Sequence, residues 1–295
     1  MHNVSDSLFP FELHYHTQFS GHRMHYLDEG PVEGQPVVMV HGNPTWSFYY
    51  REVVKVLSGS HRCLVPDHVG MGLSDRPGDE DYRYTYSSRI DDLDHWLDEV
   101  EPERAVDIVA HDWGGAIAMA WAVRHPERVR RIVLLNTWAF VIPPEEKLPF
   151  GLRFCRTAIG AFAILRFNAF AGLAVRLATE RKLDPEVARG LVSPYRGGPD
   201  RRLATLRFVQ DIPLKKSDPA WAPLAETESG LHKLADKPIR FIWGAKDFVF
   251  DDRVLDRWRE IWPEADYQIL AEAGHYVLED APEQVSAGIR EHLER

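Results

Sequence analysis

The chain has 295 residues, 44% hydrophobic and 27% charged, with a formal net charge of −10. That length suits one large α/β domain with room for an inserted subdomain, and that composition suits a soluble globular protein. The acidic balance argues against nucleic acid as a partner. Two cysteines far apart, Cys63 and Cys155, make neither a disulfide framework nor a metal site and fit a reducing cytoplasm.

Residues 1–10 include Asp6 and no long apolar core, so no signal peptide is expected. No stretch of about 18 apolar residues predicts a spanning helix. Residues 11–19 and 22–28 read as paired strands with Ser20-Gly21 at the turn. Residues 36–40 are an apolar, β-branched run, hence a buried strand, and it ends at His41-Gly42-Asn43-Pro44. Thr45 is placed to cap a helix running to Leu57. A strand over 62–66 ends at Asp67, which reads as a turn or cap residue. Residues 85–100 have the spacing of an amphipathic helix. The run 105–110 is a strand feeding His111-Asp112-Trp113-Gly114-Gly115, and a helix follows. Residues 131–135 form the next strand, ending at Asn136.

Strand–helix alternation then stops. Residues 140–214 show apolar, arginine-bearing helical patterns, expected to form a helical cap inserted in a core of residues 1–139 and 215–295. Regularity resumes with a strand over 239–243 ending in Gly244-Ala245-Lys246-Asp247, a helix over 252–262 and a strand over 267–270. After that strand come Ala273-Gly274-His275-Tyr276 and a closing helix over 282–293. The fold class is therefore α/β: a mostly parallel sheet with helices on both faces and an inserted helical cap. In such sheets ligands bind beyond the C-terminal ends of the strands. Asn43, Asp112, Asn136, Asp247 and His275 each follow a predicted strand and should gather at that edge.

The chain order Asp112, Asp247, His275 is the nucleophile–acid–base order of the α/β-hydrolases, with aspartate in the serine's place on the strand–turn–helix elbow. A carboxylate is ionised near neutral pH, so it can attack saturated carbon without a base and leave an alkyl ester on the enzyme. His275, oriented by Asp247, is then the base for a later hydrolytic water. The side-chain amide of Asn43 and the indole N–H of Trp113 are uncharged donors suited to a departing anion. Their backbone N–H groups suit an oxyanion hole. Each residue also has a plainer reading: an Asx turn for Asn43, core packing for Trp113. His41 and His111 read as structural hydrogen-bonders. Trp46, Trp138, Phe140 and Phe170 are candidates to line the pocket or only to fill it.

At His41-Gly42-Asn43-Pro44-Thr45-Trp46-Ser47, His111-Asp112-Trp113-Gly114-Gly115, Trp243-Gly244 with Lys246-Asp247, and Gly274-His275, the sequence resembles the haloalkane dehalogenases of the α/β-hydrolase fold. The resemblance implies that Asp112 is the nucleophile and that Asn43 and Trp113 hold the halide. It puts the acid at Asp247, because Asn136 stands where some members carry glutamate. Residues 167–170, 207–214, 246–251 and 275–280 look closer to the β-lactone decarboxylases of long-chain olefin biosynthesis. That resemblance implies a long-chain cis-β-lactone opened and decarboxylated to an alkene, no cofactor, and association with other enzymes of a hydrocarbon pathway. Hydrolytic dehalogenation is the alternative.

An epoxide hydrolase ranks lower, because Tyr195 is the only tyrosine over 141–214. A non-catalytic binding protein on the same fold need not keep nucleophile, acid and base together. A long apolar substrate needs an apolar tunnel, and residues 150–178 could supply one. Their arginines leave contact with an anionic membrane open.

Overall fold

The computed structural model describes residues 4–142 and 148–295. Eight strands form one sheet: β1 (His14–Thr17), β2 (Arg23–Glu29), β3 (Gln35–Val40), β4 (His61–Pro66), β5 (Val106–His111), β6 (Val129–Leu135), β7 (Ile239–Gly244) and β8 (Asp266–Leu270). Their order is β1-β2-β4-β3-β5-β6-β7-β8. β1 and β2 are antiparallel, β2 meets β4 antiparallel, and the pairs from β4 to β8 are parallel. The antiparallel pair needs only a tight turn, which Gly21 closes at a φ of 80°. The parallel strands need crossovers, and helices supply them.

Those helices are α1 (Arg51–Leu57), α2 (Tyr86–Val100), α3 (Trp113–Arg124), α4 (Phe150–Cys155), α5 (Ala158–Phe167), α6 (Ala169–Leu177), α7 (Pro185–Val192), α8 (Leu203–Asp211), α9 (Trp221–Gly230), α10 (Asp252–Ile261), α11 (Val277–Asp280) and α12 (Pro282–Glu294). The central strands are apolar on both sides because both faces are covered. Val38, Val40, Ile108, Ala110, Ile132 and Leu134 join the core beneath α2, α3 and α10. Val37, Met39, Val109, Val133, Leu135 and Ile242 join the core beneath α1 and α12. The alternation follows from the two-residue period of a strand.

Thr45 does not cap a helix. Its hydroxyl donates to the Gly42 carbonyl at 3.2 Å, and a 3-10 turn over Ser47–Tyr50 precedes α1. Side-chain caps occur elsewhere, as at α2, where Thr85 accepts from the Ser88 N–H. Asp67 is a structural hub. Buried on all sides, it accepts from Ser47 N–H at 2.6 Å, Leu73 N–H at 2.9 Å and the His25 ring at 2.8 Å. Between β6 and β7 the described residues contain helices α4 to α9 and no strand.

Candidate active site

The site begins with a strained residue. Asp112 links β5 to α3 at φ 54° and ψ −130°, a conformation that few side chains adopt without compensation. The surroundings hold it there. Its N–H donates to the Asn136 carbonyl at 3.2 Å, and its own carbonyl accepts from Gly115 N–H at 3.0 Å and Thr137 Oγ1 at 2.5 Å. The glycines of the elbow are required by crowding: a Cβ on Gly114 would sit 2.1 Å from the Val40 carbonyl oxygen. The turn thus lifts the Asp112 carboxylate off the sheet edge.

That carboxylate is 6% exposed as part of its residue. One oxygen, Oδ1, accepts from the Asn43 N–H at 2.7 Å. Burial pushes its pKa up to about 6, against the lowering influence of His275 and the N–H groups of Asn43 and Trp113. Near neutral pH the group is still mostly ionised, which a carbon nucleophile requires.

His275 lies 3.7 Å from it, Nε2 to Oδ2. On the other side, His275 Nδ1 is 2.8 Å from Asp247 Oδ2. A carboxylate only accepts, so Nδ1 carries the proton and Nε2 faces Asp112. Burial pulls the His275 pKa down, but the charge and hydrogen bond of Asp247, together with Asp112, outweigh it and the net shift is upward. Asp247 is held in turn by Val249 N–H at 2.7 Å, Phe250 N–H at 3.1 Å and Asn136 Nδ2 at 2.9 Å. Asn136 is locked by its remaining bonds, Nδ2 to the Gly244 carbonyl at 3.1 Å and Oδ1 from Gly244 N–H at 2.8 Å. It bridges β6 and β7 and aims Asp247 at the histidine. The sequence places Asn136 after a strand at this edge, where some members carry an acid, but not in contact with Asp247. Its signal was available: an amide directly after a strand, beside the strand that bears the acid.

Asn43 and Trp113 both line a cavity beside Asp112. The Asn43 amide donates to the Thr205 carbonyl on α8 at 3.1 Å, which fixes its nitrogen side and leaves a second N–H to give. The Trp113 indole N–H makes no hydrogen bond to another described residue. Its ring is wedged edge-on against Trp138 at 4.9 Å and tilted on Phe208 at 5.2 Å. Both residues line a cavity of about 430 Å³ that also exposes Asp112, His275 and Trp138. This size is ordinary for a small-molecule site. Its farther walls come from α4, α5, α6 and α8, and Phe170 is among them.

Two expected lining residues are elsewhere. Trp46 is wholly buried on the opposite core, stacked with Phe48, its Nε1 donating to the Gly190 carbonyl at 3.1 Å. A tryptophan with a buried backbone partner is satisfied packing. Phe140 packs edge-on against Trp258 at 5.1 Å, behind the cavity wall. Phe250, not singled out in the sequence, does line the cavity, stacked on Trp138 and 5.6 Å from the His275 ring. His41 and His111 are structural: His41 accepts from His68 N–H, and His111 Nε2 donates to the His275 carbonyl at 2.9 Å.

A family model described as alpha/beta hydrolase fold matches residues 35–282. The chain is 44% identical to cis-3-alkyl-4-alkyloxetan-2-one decarboxylase of Shewanella oneidensis, over 98% of this chain and 90% of that one. It is 34% identical to haloalkane dehalogenase 2 of Mycobacterium tuberculosis, over 97% and 96% of the two chains. This chain belongs to the haloalkane dehalogenase family of the α/β-hydrolase fold. Among solved structures of the family, haloalkane dehalogenase DatA of Agrobacterium tumefaciens superposes with a TM-score of 0.83 at 25% identity, covering 96% of both chains. The Asp–His–Asp set described above lies on the family's α/β scaffold, and the cavity lies between that scaffold and the helices that follow β6.

Within the family fold, the loop carrying His275 is tied down from three directions. Tyr276 N–H donates to the Ala178 carbonyl at 2.7 Å, just after α6. Asp280 accepts from Gly274 N–H at 2.7 Å and Glu180 N–H at 3.0 Å. Arg51 on α1 forms a buried, two-pronged pair with Glu279 at 2.6 and 2.8 Å. These contacts set the histidine's position from outside the Asp–His–Asp set, and Ala178 and Tyr276 also line the cavity.

Proposed function

We propose that the protein is a β-lactone decarboxylase that converts cis-3,4-dialkyl-β-lactones to alkenes, with residues 140–214 as its cap and Asp112 as nucleophile. The carrying observation is the buried Asp112 carboxylate, held by the backbone N–H groups of Asn43 and Trp113, in an apolar cavity beside two uncharged donors. Similarity supports the lactone: the decarboxylase relative is 44% identical and the dehalogenase relative 34%.

Asp112 attacks the saturated ring carbon bonded to the ring oxygen, not the carbonyl carbon. A C–O bond to Asp112 forms and the ring C–O bond breaks, its electron pair leaving on a carboxylate beside Asn43 Nδ2 and Trp113 Nε1. The intermediate is an alkyl ester of Asp112 with a carboxylate on the neighbouring carbon. Its C–CO₂ electron pair then forms the double bond, carbon dioxide departs, and the ester C–O pair returns to Asp112. Lactone becomes alkene plus carbon dioxide and no water is consumed. His275 Nε2 faces the Asp112 carboxylate at 3.7 Å, and the neighbouring charges of Asp247 and Asp112 favour its protonated form, which eases the return. Asp247 and Asn136 hold the ring in place.

A second reading is hydrolytic dehalogenation, favoured by the unpartnered Trp113 indole N–H. The first displacement is the same, halide replacing carboxylate as leaving group. The ester then has no carboxylate to lose, so His275 Nε2 must activate a water to release the alcohol.

Purified enzyme incubated with a cis-3,4-dialkyl-β-lactone should give alkene and carbon dioxide in equal amounts by gas chromatography. Asp112→Ala should be slower by at least about 10³-fold. An intact lactone with wild-type enzyme, or equal turnover by Asp112→Ala, sinks the reading. Bromide release from 1-bromobutane in parallel ranks the second reading. There His275→Phe should retain a covalent butyl adduct by intact-mass measurement.

A further inference from the structure

The helices that wall the cavity carry large apolar side chains on their outside. Phe150 is 81% exposed, Ile159 71%, Phe162 60% and Phe167 71%. Ile159 and Phe162 are three residues apart on α5 and share a face. The Phe162 and Phe167 rings meet edge to face at 5.8 Å. Phe150, Leu173 and Leu177 are exposed and also line the cavity, so its mouth opens within this apolar ground. Isolated exposed apolar residues are normal, but a contiguous group on one small unit marks a contact surface.

The charge of this unit is opposite to that of the whole. Residues 148–183 hold six basic side chains and one acidic one, in a chain of net charge −10. Arg153, Arg166 and Arg176 are exposed and form no ion pair with another described residue. A second copy would bring the same basic face to a two-fold contact, which repels. An anionic lipid surface offers both the apolar layer and the opposite charge.

We infer that the α4–α6 face is an interfacial docking surface for a bilayer containing anionic lipid, with the cavity mouth set against the lipid. The helices do not cross the bilayer. α5 and α6 have 10 and 9 residues and are bent by 85° to each other. Each is about 15 Å long, against a hydrocarbon core of about 30 Å. They lie flat, apolar side chains down and arginines level with the headgroups. An apolar substrate dissolved in lipid then reaches the cavity without crossing water. The inference does not depend on whether that substrate is a lactone or a haloalkane.

Full-length protein is sedimented with vesicles of phosphatidylcholine alone and with 30% phosphatidylglycerol. The protein should pellet with the anionic vesicles, and 1 M salt should release most of it. The triple variant Arg153→Gln, Arg166→Gln, Arg176→Gln and the double variant Phe162→Ser, Phe167→Ser should each weaken partitioning at least about tenfold. None of these five residues lines the cavity, so turnover of a short, water-soluble substrate and the thermal midpoint should be unchanged. No pelleting with anionic vesicles overturns the inference, as does equal pelleting of wild type and variants. A self-association by analytical ultracentrifugation that the phenylalanine variant abolishes, with no vesicle binding, also overturns it and makes the face a copy–copy contact.

Discussion

Asp112 carries a conflict that the reaction exploits. Burial raises its pKa to about 6, so folding favours the protonated form while chemistry requires the ionised one. The first displacement, followed by single-turnover mixing, should be level above pH 7 and fall as pH drops through about 6. Well below that it should lose about tenfold per pH unit. Stability should move the other way. In the unfolded chain the group ionises at the ordinary aspartate value, near 3.9. Between that value and about 6 the folded state holds more protons, so stability declines as pH rises and the loss is complete above about 6. Asp112→Asn should therefore raise the thermal midpoint at pH 8, by on the order of 2 kcal/mol of stability. The gain should shrink towards pH 4. An equal gain at both pH values would refute the burial argument. The convergence of Asp112, His275 and Asp247 was legible from sequence because each follows a strand in a fixed chain order. The position of Asn136 was legible too, but not its hold on Asp247, because that depends on β6 lying beside β7, a tertiary fact. Trp46 and Phe140 misled because tryptophan and phenylalanine look the same in a pocket wall and in a core.

At the scale of elements, the elbow is the sharpest constraint. Glycine in a helix normally costs about 1 kcal/mol relative to alanine, so Gly114→Ala in the first turn of α3 should stabilise an isolated helix. Here the added Cβ would meet the Val40 carbonyl at 2.1 Å, and backbone cannot step aside cheaply. The variant should lose at least about 2 kcal/mol and shift Asp112 away from Asn43 N–H. Chemical denaturation and single-turnover rates together check this, and a stabilised, fully active variant would contradict it. Strands were the best-read elements, since the apolar runs of β3, β5, β6 and β7 need burial on both faces. Residues 221–230 were left unassigned because α9 has little amphipathic pattern; it is helical by packing on α3. Thr45 was misplaced because a 3-10 turn intervenes where a cap residue and a helix seemed adjacent in sequence.

For the whole molecule, the division of labour is spatial. On the proposed reading the sheet edge holds the reacting groups, and the helices after β6 shape the space above them. Small residues on those helices, including Gly160, Ala163 and Ala174, leave the room. Ala163→Phe should fill part of the cavity. Turnover of a long-chain lactone should fall at least about tenfold while a short-chain analogue changes less than about threefold. A uniform loss on both would place Ala163 in support of the fold and not in chain selection. That a cavity lies here could be anticipated from the position of the apolar helical segment. Beyond Trp138 and Phe170, its lining could not, because the register of α4, α5 and α6 against the sheet is set by contacts such as Tyr276 to Ala178, which join distant stretches.

The hydrogen bond from Asn43 to the Thr205 carbonyl joins these two halves. The donor assigned to the leaving group takes its aim from α8, one of the helices that follow β6. A substrate tail that seats well holds α8 still and keeps the amide trained on the departing charge; a poorly seated tail lets it drift. On the proposed mechanism, chain length is then read out in kcat as well as KM, and discrimination against short substrates is a timing property of the chemical step, beyond any difference in grip.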